Sequence, residues 1–138
     1  MSAVYCDTSA LYALLDRGDA NADAAAKTWE LLAGVSTPLV TTNYVVLETV
    51  ALVQARLGMK AVAALRALLD PFVSVHYVDV ALHLAALEQL ISLSRRAVSL
   101  VDCASFAFMR QNGLNQAFAF DRHFREFGFD PVRTNSSP

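Results

Sequence analysis

Cysteine is scarce and poorly spaced for chemistry. Only Cys6 and Cys103 occur among the 138 residues, and neither belongs to a CxxC pair. That excludes a cysteine-held zinc knot or a disulfide framework, and both thiols sit in apolar stretches as free, buried cysteines do. Lysine is nearly missing too, with Lys27 and Lys60 alone, so a receiver domain, which needs a late lysine beside its acid pair, does not fit. No apolar run approaches the roughly eighteen residues of a membrane span. Met1 leads straight into a strand-like stretch without a basic segment or signal-peptide core, which makes the cytoplasm the expected compartment. Repeats, low-complexity tracts and internal linkers are absent. The expectation is one domain over residues 1–133, followed by a disordered tail from Thr134 to Pro138.

What the chain does have is apolar material: 55% hydrophobic against 17% charged residues, with a mean hydropathy of +0.38. Part of this surplus is expected in an interface. A domain of this length buries roughly two-thirds of its unfolded surface and needs no staples. The net charge of -2 argues against a nonspecific nucleic-acid coat protein. The charge is unevenly placed, however. From Arg95 onward six arginines face four acids, whereas Met1 to Ser94 holds five basic residues and nine acids.

Strand-like and helix-like stretches alternate. Ala3 to Cys6 reads as a strand buried on both faces, and Ser9 to Asp16 as a short helix stopped by Arg17-Gly18-Asp19. Ala24 to Ala33 is a helix closed by Gly34, and Leu39 to Thr42 a second strand. Asn43 is expected to cap a long helix to Leu57, ended by Gly58. A helix from Met59 to Leu69 stops before Pro71. Phe72 to Val78 alternates as an edge strand. Asp79 caps a helix to about Arg96 that carries Val80, Leu84, Leu87 and Ile91 on one face. Ser99 to Asp102 opens another, terminated by Gly113. Ala117 to Asp121 is a buried strand, His123 to Phe127 a helical turn, and Pro131-Val132-Arg133 a last weak strand. The fold class is α/β, three-layered, with a parallel sheet covered on both faces.

Four acids fall where such a sheet opens its ligand crevice. Asp7 and Asp121 end buried strands; Glu48 and Asp102 lie in the first or second turn of helices. Each has a plain structural alternative. Asp7 and Asp121 can be caps, Ser99-x-x-Asp102 resembles a capping box, and Glu48, on a stripe with Tyr44, Ala51, Leu52 and Ala55, can reach solvent. Clustered carboxylates repel one another, and hard divalent cations remove the conflict; an oxygen-only donor set suits Mg²⁺ or Mn²⁺. Thr8, Ser9, Asn43 and Ser105 would add neutral oxygens beside the acids. A haloacid-dehalogenase-type phosphatase needs an acid where Ser9 stands, and serine or cysteine hydrolysis lacks a nucleophile elbow and a His partner.

Asp7-Thr8-Ser9, Asn43 with Glu48, Val101-Asp102-Cys103-Ala104-Ser105 and Phe120-Asp121-Arg122-His123-Phe124 together resemble the PIN-domain ribonucleases, most closely the VapC toxins of bacterial toxin-antitoxin pairs. The resemblance spans essentially the whole chain in motif order and spacing. It implies a five-stranded parallel sheet and a pocket of Asp7, Glu48, Asp102 and Asp121 as catalytic residues and Mg²⁺ or Mn²⁺ ligands. It further implies RNA cleavage leaving a 5′ phosphate and a 3′ hydroxyl, a homodimer, and inhibition by a VapB-type antitoxin. Arg122, His123, Arg96 and Arg110, with Arg95 and Arg125, are the candidates for contacts to the RNA backbone. Many family members carry Thr or Ser two residues before the last acid; Ala119 stands here, so one hydrogen bond to Asp121 is expected to be missing. A noncatalytic PIN-fold binding module and a DNA-directed or structure-specific nuclease are the alternatives. The apolar surplus is assigned to a dimer interface and an antitoxin groove, with the first long helices and the Met59 to Leu69 helix as candidate surfaces.

Overall fold

Strand β1 (Val4–Cys6) lies at the centre of the molecule, with all three residues buried. The computed structural model describes residues 2–132; Met1, Arg133 of the expected last strand and the expected tail Thr134 to Pro138 lie outside the described residues. Around β1 runs the order α1 (Thr8–Leu15), α2 (Ala22–Gly34), β2 (Leu39–Thr42), α3 (Asn43–Leu57), α4 (Met59–Leu69) and β3 (Val73–His76). It continues with α5 (Val80–Leu93), α6 (Leu100–Gln111), β4 (Gln116–Phe118), α7 (His123–Glu126) and β5 (Asp130–Pro131). The five strands form one parallel sheet, β3-β2-β1-β4-β5, flanked by helices. The α/β expectation holds, and β3 is an edge strand as its alternation indicates.

Helix boundaries follow local chemistry. The N-cap of α3 is Thr42, whose Oγ1 accepts from Val45 N, so Asn43 is the first helical residue and not the cap. At the other end of α3, Gly58 takes φ 94°, a left-handed value that favours glycine, and turns the chain into α4. Helix α5 stops at Leu93, short of Arg96, because Ser94 adopts the left-handed conformation as its C-cap. Strand β4 ends at Phe118, three residues before Asp121, because the amides of Phe120 and Asp121 both turn to the Ser9 hydroxyl.

Two helix faces differ from their sequence reading. In α3 the buried spine is Val45, Thr49 and Val53. The Glu48 stripe lies beside that spine, with Tyr44, Glu48 and Leu52 half-buried and Ala51 and Ala55 exposed. In α5 Leu82 and Ala86 are buried, whereas Val80, Leu84, Leu87 and Ile91 face outward, Val80 and Ile91 being more than 70% exposed. An aromatic cluster closes the C-terminal side: Phe106 packs edge-on against Phe124 at 5.1 Å and stacks on Phe127 and Phe129. Phe124, fully buried, thereby fixes the turn that follows Asp121. Cys6 and Cys103 are both buried and free.

Candidate active site

The strand order reverses at β1, which has β2 on one side and β4 on the other, so the crevice of the sheet opens between the ends of β1 and β4. Asp7 follows β1 directly and its amide donates to Phe118 O of β4 (3.0 Å). Asp121 stands beyond β4, and Asp102 enters from the first turn of α6. Asp102, Asp121 and His123 bring one potential ligand atom each to within 4.8 Å of one another. Asp7 is their neighbour: burial first, then the charges of Asp102 and Asp121, push its carboxyl up to about 7 against the hydrogen bonds from Ser9. The Asp102 carboxyl is raised as well, by burial and by Asp121, against its hydrogen bond from Ser99.

The capping roles and the clustering coexist because a carboxylate has two oxygens. Asp7 Oδ2 accepts from Ser9 N (3.1 Å) and Ser9 Oγ (2.7 Å). Asp102 Oδ2 accepts from Ser99 N (3.0 Å), and the Ser99 hydroxyl oxygen accepts from Asp102 N (3.1 Å), completing a capping box. Asp121 Oδ1 accepts from His123 N (2.9 Å). Each acid thus uses one oxygen to hold its own backbone, and the other has no hydrogen-bond partner among the described residues.

Ser9 is the keystone of this arrangement. Its Oγ donates to Asp7 and accepts from Phe120 N (2.9 Å) and Asp121 N (3.3 Å), which fastens the backbone of one acid to the side chain of another. Ala119 offers no hydroxyl, and this cross-link from α1 positions the Asp121 backbone from the opposite side. Thr8 lies where α1 meets α3: its hydroxyl donates to Val45 O (3.4 Å) and accepts from Thr49 Oγ1 (3.2 Å). Glu48, one residue before Thr49, is half-buried, outside the Asp102-Asp121-His123 group, and makes no hydrogen bond among the described residues.

Four further candidates make contacts of their own. Ser105 is fully buried and its hydroxyl bonds the Tyr5 hydroxyl (2.7 Å), so it supports the sheet from beneath and does not face the crevice. Asn43 Oδ1 accepts from Val78 N (2.7 Å) and holds the β3–α5 connection. Arg110 donates to Phe127 O (3.0 Å) and lies over the Phe129 ring, a strut between α6 and the C-terminal turn. His123 is 6% exposed and faces the acids. Arg95 forms a two-pronged pair with Glu126 (2.7 and 3.2 Å). Arg96, Arg122 and Arg125 are exposed. A cavity of about 480 Å³ opens beside Asp121 between Phe120, Arg122, Arg125 and Thr28 of α2.

Tyr5 escaped the sequence reading. Its buried hydroxyl joins Ser105 and Thr42 (3.2 Å), linking β1, β2 and α6 under the acids. The signal was present: a tyrosine in the middle of a doubly buried strand needs a partner for its hydroxyl.

The chain matches the family model described as PIN domain over residues 4–130. It is a PIN domain. Among curated proteins, this PIN domain is 37% identical over 131 residues to the 23S rRNA-specific endonuclease VapC20 of Mycobacterium tuberculosis, covering 94% of this chain and 98% of the relative. The crystal structure of M. tuberculosis VapC20, described as a sarcin-ricin loop cleaving toxin, superposes with a TM-score of 0.84 at 36% identity, over 95% of this chain and 99% of that one. VapBC2 from Rickettsia felis, solved with a promoter DNA fragment, shares the fold with a TM-score of 0.69 at 10% identity, over 94% and 97% of the two chains. No described helix is long and apolar enough to cross a membrane.

Proposed function

We propose that this PIN domain is a metal-dependent endoribonuclease, the toxin of a type II toxin-antitoxin pair, with Asp7, Asp102, Asp121 and Glu48 as its catalytic and metal-holding acids. One observation carries the reading. Three carboxylates, each with an unengaged oxygen, converge at the switch point of a chain that aligns almost end to end with an RNA endonuclease. By the same likeness the substrate is a structured ribosomal RNA loop, and the partner a VapB-type antitoxin. The working unit is one domain over residues 1–133, acting in the cytoplasm as a homodimer.

The residues fit a divalent ion. Asp7 with its carboxyl pushed up to about 7 is a buried acid held next to two others, and a cation is what lets all three ionise together. Carboxylate oxygens suit hard ions such as Mg²⁺ and Mn²⁺. Asp102 and Asp121 would hold it with Asp7, and Glu48 supplies a further carboxylate from α3. When bound, the ion supplies a Lewis acid for the phosphodiester and makes water a stronger nucleophile at neutral pH. The chain's own contribution is placement. Ser9 holds Asp7 and the Asp121 backbone in register, Ser99 fixes the Asp102 rotamer, and Phe124 anchors the turn that carries Asp121. Arg122, Arg125 and Arg96 are exposed cations available to the RNA backbone, and the cavity beside Asp121 has room for a flanking nucleotide.

The test is cleavage of ribosomal RNA and of a DNA of matched sequence by antitoxin-free protein, with end-group analysis of the products. RNA-only cleavage leaving a 5′ phosphate and a 3′ hydroxyl, suppressed by the product of the neighbouring small gene, is the expected result. Equal cleavage of DNA would favour the DNA-directed reading. Tight antitoxin binding with no cleavage of either would favour a noncatalytic module, a reading that the presence of all four acids weighs against.

A further inference from the structure

His123 is the first residue of α7, and its side chain is 8% exposed. Neither Nδ1 nor Nε2 has a hydrogen-bond partner among the described residues. A buried polar group left unpaired loses its hydration without recompense, so an imidazole in this state calls for a partner. The other two histidines have ordinary surroundings: His83 bonds the Tyr44 hydroxyl, and His76 is exposed on the edge strand against Phe108.

What faces His123 is the acid cluster. Nδ1 lies 2.8 Å from Asp121 Oδ1, off the direction of a hydrogen bond, and that oxygen is already bonded to the His123 amide. Neighbouring ligands on an octahedral ion at about 2.1 Å sit about 3 Å apart, so this spacing lets Nδ1 share one cation with the Asp121 carboxylate, whose Oδ2 is unengaged. Asp102 completes the group within 4.8 Å.

We infer that His123 is a nitrogen ligand to the divalent ion of this site, which makes the centre a mixed nitrogen and oxygen site that favours Mn²⁺ over Mg²⁺. The inference rests on the metal-nuclease reading above. Imidazole binds first-row transition ions well and Mg²⁺ poorly, because Mg²⁺ is hard and gives up its waters reluctantly. The packing of Phe124 against Phe106 fixes the short helix that begins at His123.

Pulsed electron paramagnetic resonance of tag-free protein loaded with Mn²⁺ alone reads the ligand directly. The expected spectrum carries the hyperfine coupling of one imidazole nitrogen, which becomes a ¹⁵N coupling after ¹⁵N-histidine labelling. Calorimetry should show Mn²⁺ affinity falling about 10-fold or more in His123→Gln, with Mg²⁺ affinity changing less than about 3-fold. The wild-type spectrum decides the matter even if the variant folds poorly. Mn²⁺ bound in wild type and lost in Asp102→Asn, but without nitrogen coupling, would overturn the inference and leave the metal site standing. No binding of either ion to wild type would overturn the metal-nuclease reading itself.

Discussion

At the scale of single residues, the acids act as caps and cluster members at once. Asp7→Asn tests both roles, since the amide oxygen can still accept from Ser9 and the charge is gone. Folding raises the Asp7 carboxyl from 3.8 to about 7. Between those values the folded protein holds a proton that the unfolded chain releases, so metal-free stability from this group falls as pH rises through about 4 to 7. The metal-free variant should therefore nearly match wild type near pH 4 and exceed it by on the order of 4 kcal/mol at pH 8, read by urea unfolding. Its cleavage rate should drop more than about a hundredfold, as expected for loss of a metal ligand. Ser9→Ala should cost about 10–100-fold in metal affinity or rate, with partial rescue in Ser9→Thr. Such a loss reports the bridge from Asp7 to the Asp121 amide. The positions of Asp7, Asp102 and Asp121 were legible in the sequence because strand ends and helix starts are marked by local pattern. The Ser9 bridge was not, since it joins residues 111 and 112 positions apart. The bonds of Ser105 to Tyr5 and of Asn43 to Val78 N were not legible for a related reason: proximity in sequence to an acid does not say which way a hydroxyl or amide points.

Among the elements, the turn after β4 brings Asp121 and His123 to Asp102. Helix α7 has only four residues, too few to hold itself, and its position comes from Phe124 against Phe106 and Phe129. Phe124→Ala should destabilise the protein by about 3–5 kcal/mol and loosen Asp121 and His123 together, checked by denaturant unfolding alongside Mn²⁺ affinity. The start of α6 is more forgiving. Ser99→Ala should cost about 1 kcal/mol in helix stability through the lost cap, while the backbone amide at 99 keeps its bond to the Asp102 carboxylate, so the cleavage rate should fall no further than the stability loss explains. Helix periodicity located α3, α4 and α5 well, but did not say which face of α5 meets the core. Val80, Leu84, Leu87 and Ile91 form as good an apolar stripe as any buried one, and only the packing of Leu82 and Ala86 shows that the stripe points outward.

For the whole molecule, that stripe gives the apolar surplus an address. The expected interface helices included α3 and α4, where Leu47 and Met59 are exposed, but the continuous apolar face belongs to α5. A dimer built on it should become monomeric in a Leu84→Glu, Ile91→Glu double variant with stability almost unchanged, as read by light scattering; a wild-type monomer at micromolar concentration would rule the dimer out. Fold class and family were legible at this scale because alternating strands and helices admit few topologies, and because the order of short motifs constrains the whole chain. The central claim is that Asp7 and Asp102 hold a metal that cleaves RNA. It is tested most directly by incubating ribosomal RNA with antitoxin-free wild type, Asp7→Asn and Asp102→Asn, each with Mg²⁺ or Mn²⁺ and each with chelator. Cleavage by wild type alone, abolished by chelator, is the result the account predicts; cleavage that survives chelator, or persists in both folded variants, would contradict it.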